Sequence, residues 1–77
     1  MTDYAQSCIT RTLLLDGAKT ELPLEPIFWD ALMMIGDDQR KSISAVIENI
    51  NDNTDTRDLS SAVRVFVLEY YRRRKRR

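Results

Sequence analysis

The sequence predicts a mainly α chain that opens with a short N-terminal β-ribbon, and three observations carry that prediction. Asp16-Gly17 stands between two runs of β-compatible residues. Three later segments repeat apolar residues at helical spacing, with turn and cap residues between them. The chain has 77 residues, room for one domain and a modest core.

The ribbon is expected over about 9–24, "ITRTLLLDGAKTELPL". Asp-Gly between two such runs is a strong hairpin signal, because both central residues of a type I′ turn need positive φ. In the second run Leu22 and Leu24 share one face, and Lys19, Glu21 and Pro23 share the other. The first run is less regular, since Leu13, Leu14 and Leu15 are consecutive. Pro23 on the polar side suits an edge that must refuse a further strand.

Glu25-Pro26 reads as N-cap and first residue of a helix over about 26–38, where proline's missing N–H costs nothing. Phe28, Trp29, Leu32, Ile35 and Gly36 form its core stripe. Asp37-Asp38 then marks the end, because negative charge is unfavourable at a helix C-terminus. A second helix is expected over 42–51, with Ser42 as N-cap and Ile43, Val46, Ile47 and Ile50 inward. The polar string 51–58 is a loop. A third helix, 59–71, carries Leu59, Ala62, Val63, Phe66, Val67 and Tyr70, with Ser60 and Ser61 as capping residues at its start. Val65 and Leu68 widen that stripe beyond what a surface helix needs and point to burial on two sides.

Composition excludes several classes of function. Cys8 is the only cysteine and histidine is absent, so an internal disulfide and a His-based metal site are both ruled out. No Gly-rich phosphate loop or spaced carboxylate pair is visible, so no catalytic residue and no cofactor is expected, and the chain does not read as an enzyme. Met33 and Met34 read as helix fillers. No apolar run could span a bilayer, and the first ten residues lack the marks of a signal peptide, so a cytoplasmic protein without a membrane partner is expected.

The formal net charge of zero hides a division. Six of the 12 basic residues occupy positions 72–77, leaving 6 basic against 12 acidic residues in the body, −6 beside a tail of +6. The tail Arg72, Arg73, Arg74, Lys75, Arg76, Arg77 is expected to contact a phosphate polymer, and the acidic body could mask it until such a polymer displaces the acids.

The strings "RTLLLDGAKTELPLEPIFWDAL", "KSISAVIENI" and "RDLSSAVRVFVLEYY" resemble the ribbon-helix-helix family, most closely the ribbon-helix-helix domain proteins common in alphaproteobacteria, over about residues 11–71. The resemblance implies a ribbon-helix-helix dimer with an additional C-terminal helix, whose paired strands enter the major groove of double-stranded DNA. On that basis the DNA-binding residues are Arg11, Thr12, Lys19 and Glu21 on the ribbon, Lys41 and Ser42 at a phosphate-binding helix start, and the tail. The dimer core would hold Leu22, Leu24, Phe28, Trp29, Leu32, Ile47, Val63, Phe66 and Val67. Glu21 and Pro23 depart from the family, because readers of base edges are typically cationic, amide or hydroxyl side chains. The expected function is therefore a homodimeric DNA-binding transcriptional regulator. The alternative is a dimeric protein-interaction module, antitoxin-like or with an assembly role, that has lost base reading.

Overall fold

A computed structural model of the protein describes residues 7–55 and 57–75, and the side chains of these apart from Lys75. Strand β1 (Ile9–Leu15) and strand β2 (Ala18–Leu24) form a two-stranded antiparallel ribbon, followed by helices α1 (Pro26–Gln39), α2 (Ile43–Asp52) and α3 (Leu59–Lys75). The expected order, ribbon and then three helices, is the order observed.

The turn sets everything in the ribbon. Leu15 pairs with Ala18 and Asp16-Gly17 lie between them at φ 54° and 83°, the positive pair a type I′ turn requires. Counting back from that pair, Ile9, Arg11, Leu13 and Leu15 share the inner face with Leu24, Leu22, Thr20 and Ala18. Leu15, Leu22 and Leu24 are buried, whereas Leu14, on the outer face, is 59% exposed. The consecutive leucines thus divide between faces by the period of two. The backbone N–H of Asp16 donates to Glu48 Oε2 of α2 at 3.0 Å, fastening the hairpin tip to the helical layer.

Pro23 costs the ladder nothing. Its carbonyl accepts a hydrogen bond from Ser60 Oγ at 2.8 Å, so it points away from β1, and the N–H it lacks would have pointed the same way.

Helix α1 begins at Pro26, with Glu25 as N-cap residue but no side-chain cap bond. It ends one residue beyond the expected limit, at Gln39, and Arg40 closes it at φ 59° while Lys41 N–H donates to Gly36 O at 2.8 Å. This closure explains Gly36, since a Cβ there would lie 2.6 Å from the Lys41 carbonyl oxygen, a backbone atom that cannot swing aside as the end of a flexible side chain could. Gly36→Ala is expected to destabilise the fold by about 1–3 kcal/mol, the usual cost of overpacking, as measured by urea unfolding.

Ser42 caps α2 as expected, its Oγ accepting from Ala45 N–H at 3.1 Å. The start of α3 differs from expectation. The Asp58 carboxylate accepts from Ser61 N–H at 3.1 Å, so Asp58 takes the capping role and Ser60 reaches across to Pro23 instead. An acid one residue upstream is as good a cap, and the strand carbonyl gives Ser60 a partner that local sequence does not reveal.

Among the described residues, eleven apolar side chains close one core, from Leu15 on the ribbon to Val67 on α3. Of the nine residues expected in a core shared by two chains, Leu22, Leu24, Trp29, Leu32, Ile47, Val63 and Val67 are buried within this single chain, with Phe28 and Phe66 half-buried against them. Val63 and Val67 of α3 close this core against the ribbon and the other two helices. It also runs four residues past its expected end at 71, taking Arg72 to Lys75 into the helix.

Candidate nucleic-acid interface

Three elements carry the residues expected to meet DNA. On the ribbon, the register places Thr10, Thr12 and Leu14 opposite Pro23, Glu21 and Lys19, all on the outer face. Thr12, Lys19 and Glu21 are therefore brought together, with Thr12 and Glu21 a cross-strand pair. Arg11 is not with them. It lies on the inner face, its guanidinium 5.2 Å from the centre of the Trp29 ring, where the cation covers the indole. Thr10, which was not singled out beforehand, shares the outer face. Counting residues back from the Asp-Gly turn would have shown both placements.

The second element is the α1–α2 turn. Lys41 and Ser42 are exposed there, but their polar groups are partly committed: Lys41 N–H to Gly36 O, and Ser42 Oγ to Ala45 N–H. What remains for an anion is the Lys41 ammonium and the first N–H groups of α2, at the positive end of the helix dipole.

The third element is the end of α3. Successive helical residues are about 100° apart, so Arg72, Arg73 and Arg74 fan around the axis rather than forming one face. Their partners differ accordingly. Arg72 pairs with Glu69 one turn back, at 2.6 Å, and this hydrogen bond holds the Glu69 carboxyl below its ordinary range. Arg74 crosses to α1, where its Nη1 lies 3.2 Å from Asp38 Oδ2, and its guanidinium also lies over the Tyr70 ring at 5.8 Å. The Tyr70 hydroxyl donates to the same Asp38 oxygen, and that bond, with some burial, pushes the phenol's pKa up. Asp38, placed at the unfavourable end of α1, thus has two donors from α3. Arg73 has no ion pair among the described residues. Arg76 and Arg77 lie outside the described residues, as does the side chain of Lys75.

At the other end of the α1–α3 contact, Arg64 donates from Nε and Nη2 to Glu25 at 2.9 and 3.2 Å. This fork draws the Glu25 carboxyl below its ordinary value of 4.5 and pushes the Arg64 guanidinium up. A carboxyl whose pKa is lowered by folding stabilises the fold above its unfolded pKa, and loses that contribution as pH falls through the folded value. Wild type is therefore expected to melt above Glu25→Gln at pH 7, and the gap in Tm should close as pH drops below about 4.5. Thermal melts of both proteins across that range check the sign.

Among the described residues, no cluster of His, Cys, Asp or Glu could hold a metal ion, and no helix is long and apolar enough to cross a membrane. Comparison with known proteins found the family described as ribbon-helix-helix domain, which matches residues 8–71. Neither the search of curated proteins nor that of solved structures returned a match. Members of that family are generally DNA-binding transcription regulators or antitoxins, and are typically not enzymes.

Proposed function

We propose that this chain, which belongs to the ribbon-helix-helix domain family, is a homodimeric, cytoplasmic DNA-binding regulator that holds duplex DNA chiefly through its basic C-terminal end. The observation that carries the reading is the end of α3, where Arg72, Arg73 and Arg74 stand exposed on consecutive positions of one helix. Cations on three sides of a helix can follow a phosphate backbone but present no flat reading surface, so they supply affinity without sequence information.

The ribbon's contribution is narrower. On its outer face Thr10, Thr12 and Lys19 can donate to base edges or phosphates, Glu21 can accept from cytosine N4, and Leu14 offers an apolar contact to a thymine methyl. Pro23 adds no hydrogen bond. Lys41 and the start of α2 add a phosphate contact in this reading.

Salt titration of binding to a random-sequence duplex tests the proposal. The expected result is an observed association constant that falls steeply with salt, by about 0.9 in log–log slope for each phosphate neutralised. No binding at low salt sinks it. Glu21 and Pro23 on the ribbon favour the second reading, a dimeric interaction module without base reading. That reading gains if binding is salt-dependent yet identical for every duplex sequence tried.

A further inference from the structure

Two ion pairs join α1 and α3 toward the two ends of their contact, Glu25 with Arg64 and Asp38 with Arg74. An open groove runs between the helices. One stretch of it, about 400 Å³, is lined mainly by Ile27, Asp30, Ala31, Met34, Leu68 and Tyr71. It continues past Met34 and Tyr71 into a second stretch of about 660 Å³, walled by Asp37, Asp38 and Arg74.

The groove is apolar along its length and charged at its rim. Ile27 is 65% exposed, Met34 62% and Leu68 64%, and large apolar side chains gathered in one open groove mark a contact surface. Met34 adds a flexible thioether that adapts to the shape of what it meets. The described cations along the groove are already paired, Arg64 with Glu25, Arg72 with Glu69 and Arg74 with Asp38. Asp30 and Asp37, by contrast, have no ion pair among the described residues. Seven residues apart, they stand two turns from each other on the same rim of α1, about 10 Å along its axis. The charge left for an occupant to meet is therefore negative, and it is spaced like a helix.

We infer that the α1–α3 groove receives a basic amphipathic helix of another protein, its apolar stripe on Ile27, Met34 and Leu68 and its lysines or arginines beside Asp30 and Asp37. A small molecule suits the place less well, because ligand pockets enclose most of their ligand, whereas an open trough between two helices is the shape that takes a third. The inference adds a protein partner to the DNA reading and stands or falls separately from it.

Titration with model peptides, followed by amide NMR shifts, tests the assignment. The probe is a capped helix of leucine and lysine about 18 residues long, since shorter peptides hold little helix in water, with its leucines on one stripe. Its control carries glutamate for every lysine. The lysine peptide is expected to bind one to a chain, moving the amides of Ile27, Ala31, Met34 and Leu68, and the glutamate peptide is expected not to bind. Asp30→Asn with Asp37→Asn should weaken binding about fivefold at low salt, whereas Asp52→Asn with Asp55→Asn, an equal change of charge at acids that do not line the groove, should leave it as it was. Ile27→Gln with Leu68→Gln should weaken it about thirtyfold or more while keeping the helical circular dichroism, since both side chains are exposed. The assignment is overturned if the lysine peptide fails to bind, if its shifts map elsewhere, if both peptides bind alike, or if the two asparagine pairs weaken binding equally. It is overturned too if sedimentation shows that Ile27→Gln with Leu68→Gln dissociates an oligomer to which the peptide does not bind, because a second copy then fills the groove.

Discussion

Deleting residues 72–77 is expected to lower affinity for duplex DNA at 50 mM salt by at least about a hundredfold and to flatten its salt dependence. The magnitude follows from counterion release. Each phosphate contact contributes about 0.9 to the log–log slope, so two engaged cations out of the six add about 1.8, worth about 200-fold between 1 M and 0.05 M salt. All six would add about 5 to the slope. Asp38→Asn should act in the opposite direction. It removes the negative charge that Arg74 and Tyr70 share, so Arg74 is freed for phosphate and affinity rises by a few-fold at low salt. The contrast separates masking from bulk charge, because Asp37→Asn changes the net charge equally at a neighbour that has no ion pair among the described residues. Parallel salt titrations of the four proteins decide. A tail deletion that binds as wild type does, with the same slope, removes the tail from the interface.

How far the sequence reaches can be judged from that same helix end. The apolar stripes of α1, α2 and α3 were legible because burial repeats at 3.6 residues, and the ribbon because its turn needs Asp-Gly. The extension of α3 to Lys75 was not read as helix, since a run of basic residues lacks apolar periodicity. Yet arginine is a good helix former, cations suit a helix C-terminus, and Asp38, more than thirty residues away in the chain, pins the last turn through Tyr70 and Arg74. Ser60 was misassigned for a similar reason: its partner, Pro23 O, is remote in sequence and close only in the fold. Arg11 is different, because strict alternation from the turn already puts it on the inner face. The three adjacent leucines obscured that alternation. The exposed pair Val65 and Leu68 on α3 was legible in part, since the two exceed the needs of one buried face.

Replacing Trp29 with alanine is expected to cost about 3–5 kcal/mol, the range for truncating a large buried aromatic, and so to consume much of the stability of a domain this small. Trp29 is 3% exposed and joins α1 to strand β1. Its ring packs in the core from α1, its indole Nε1–H donates to the Ile9 carbonyl at 2.9 Å, and Arg11 covers its face. The hydrogen bond ties the open end of the ribbon to the first helix, while Asp16 and Glu48 tie the turn end to the second. Loss of the ring therefore removes packing and also frees the end of β1, which an isolated two-stranded ribbon cannot hold alone. Trp29→Phe isolates the polar part. It keeps most of the apolar volume but leaves the Ile9 carbonyl without its donor, at a cost of about 1–2 kcal/mol. Urea denaturation gives both values, and hydrogen exchange locates the second: in Trp29→Phe the amides near Ile9 should lose protection while those near Leu15 and Ala18, held by the turn and Glu48, keep theirs. Equal loss along the whole ribbon would show that Trp29 supports the ribbon through the core alone and not through its bond to Ile9.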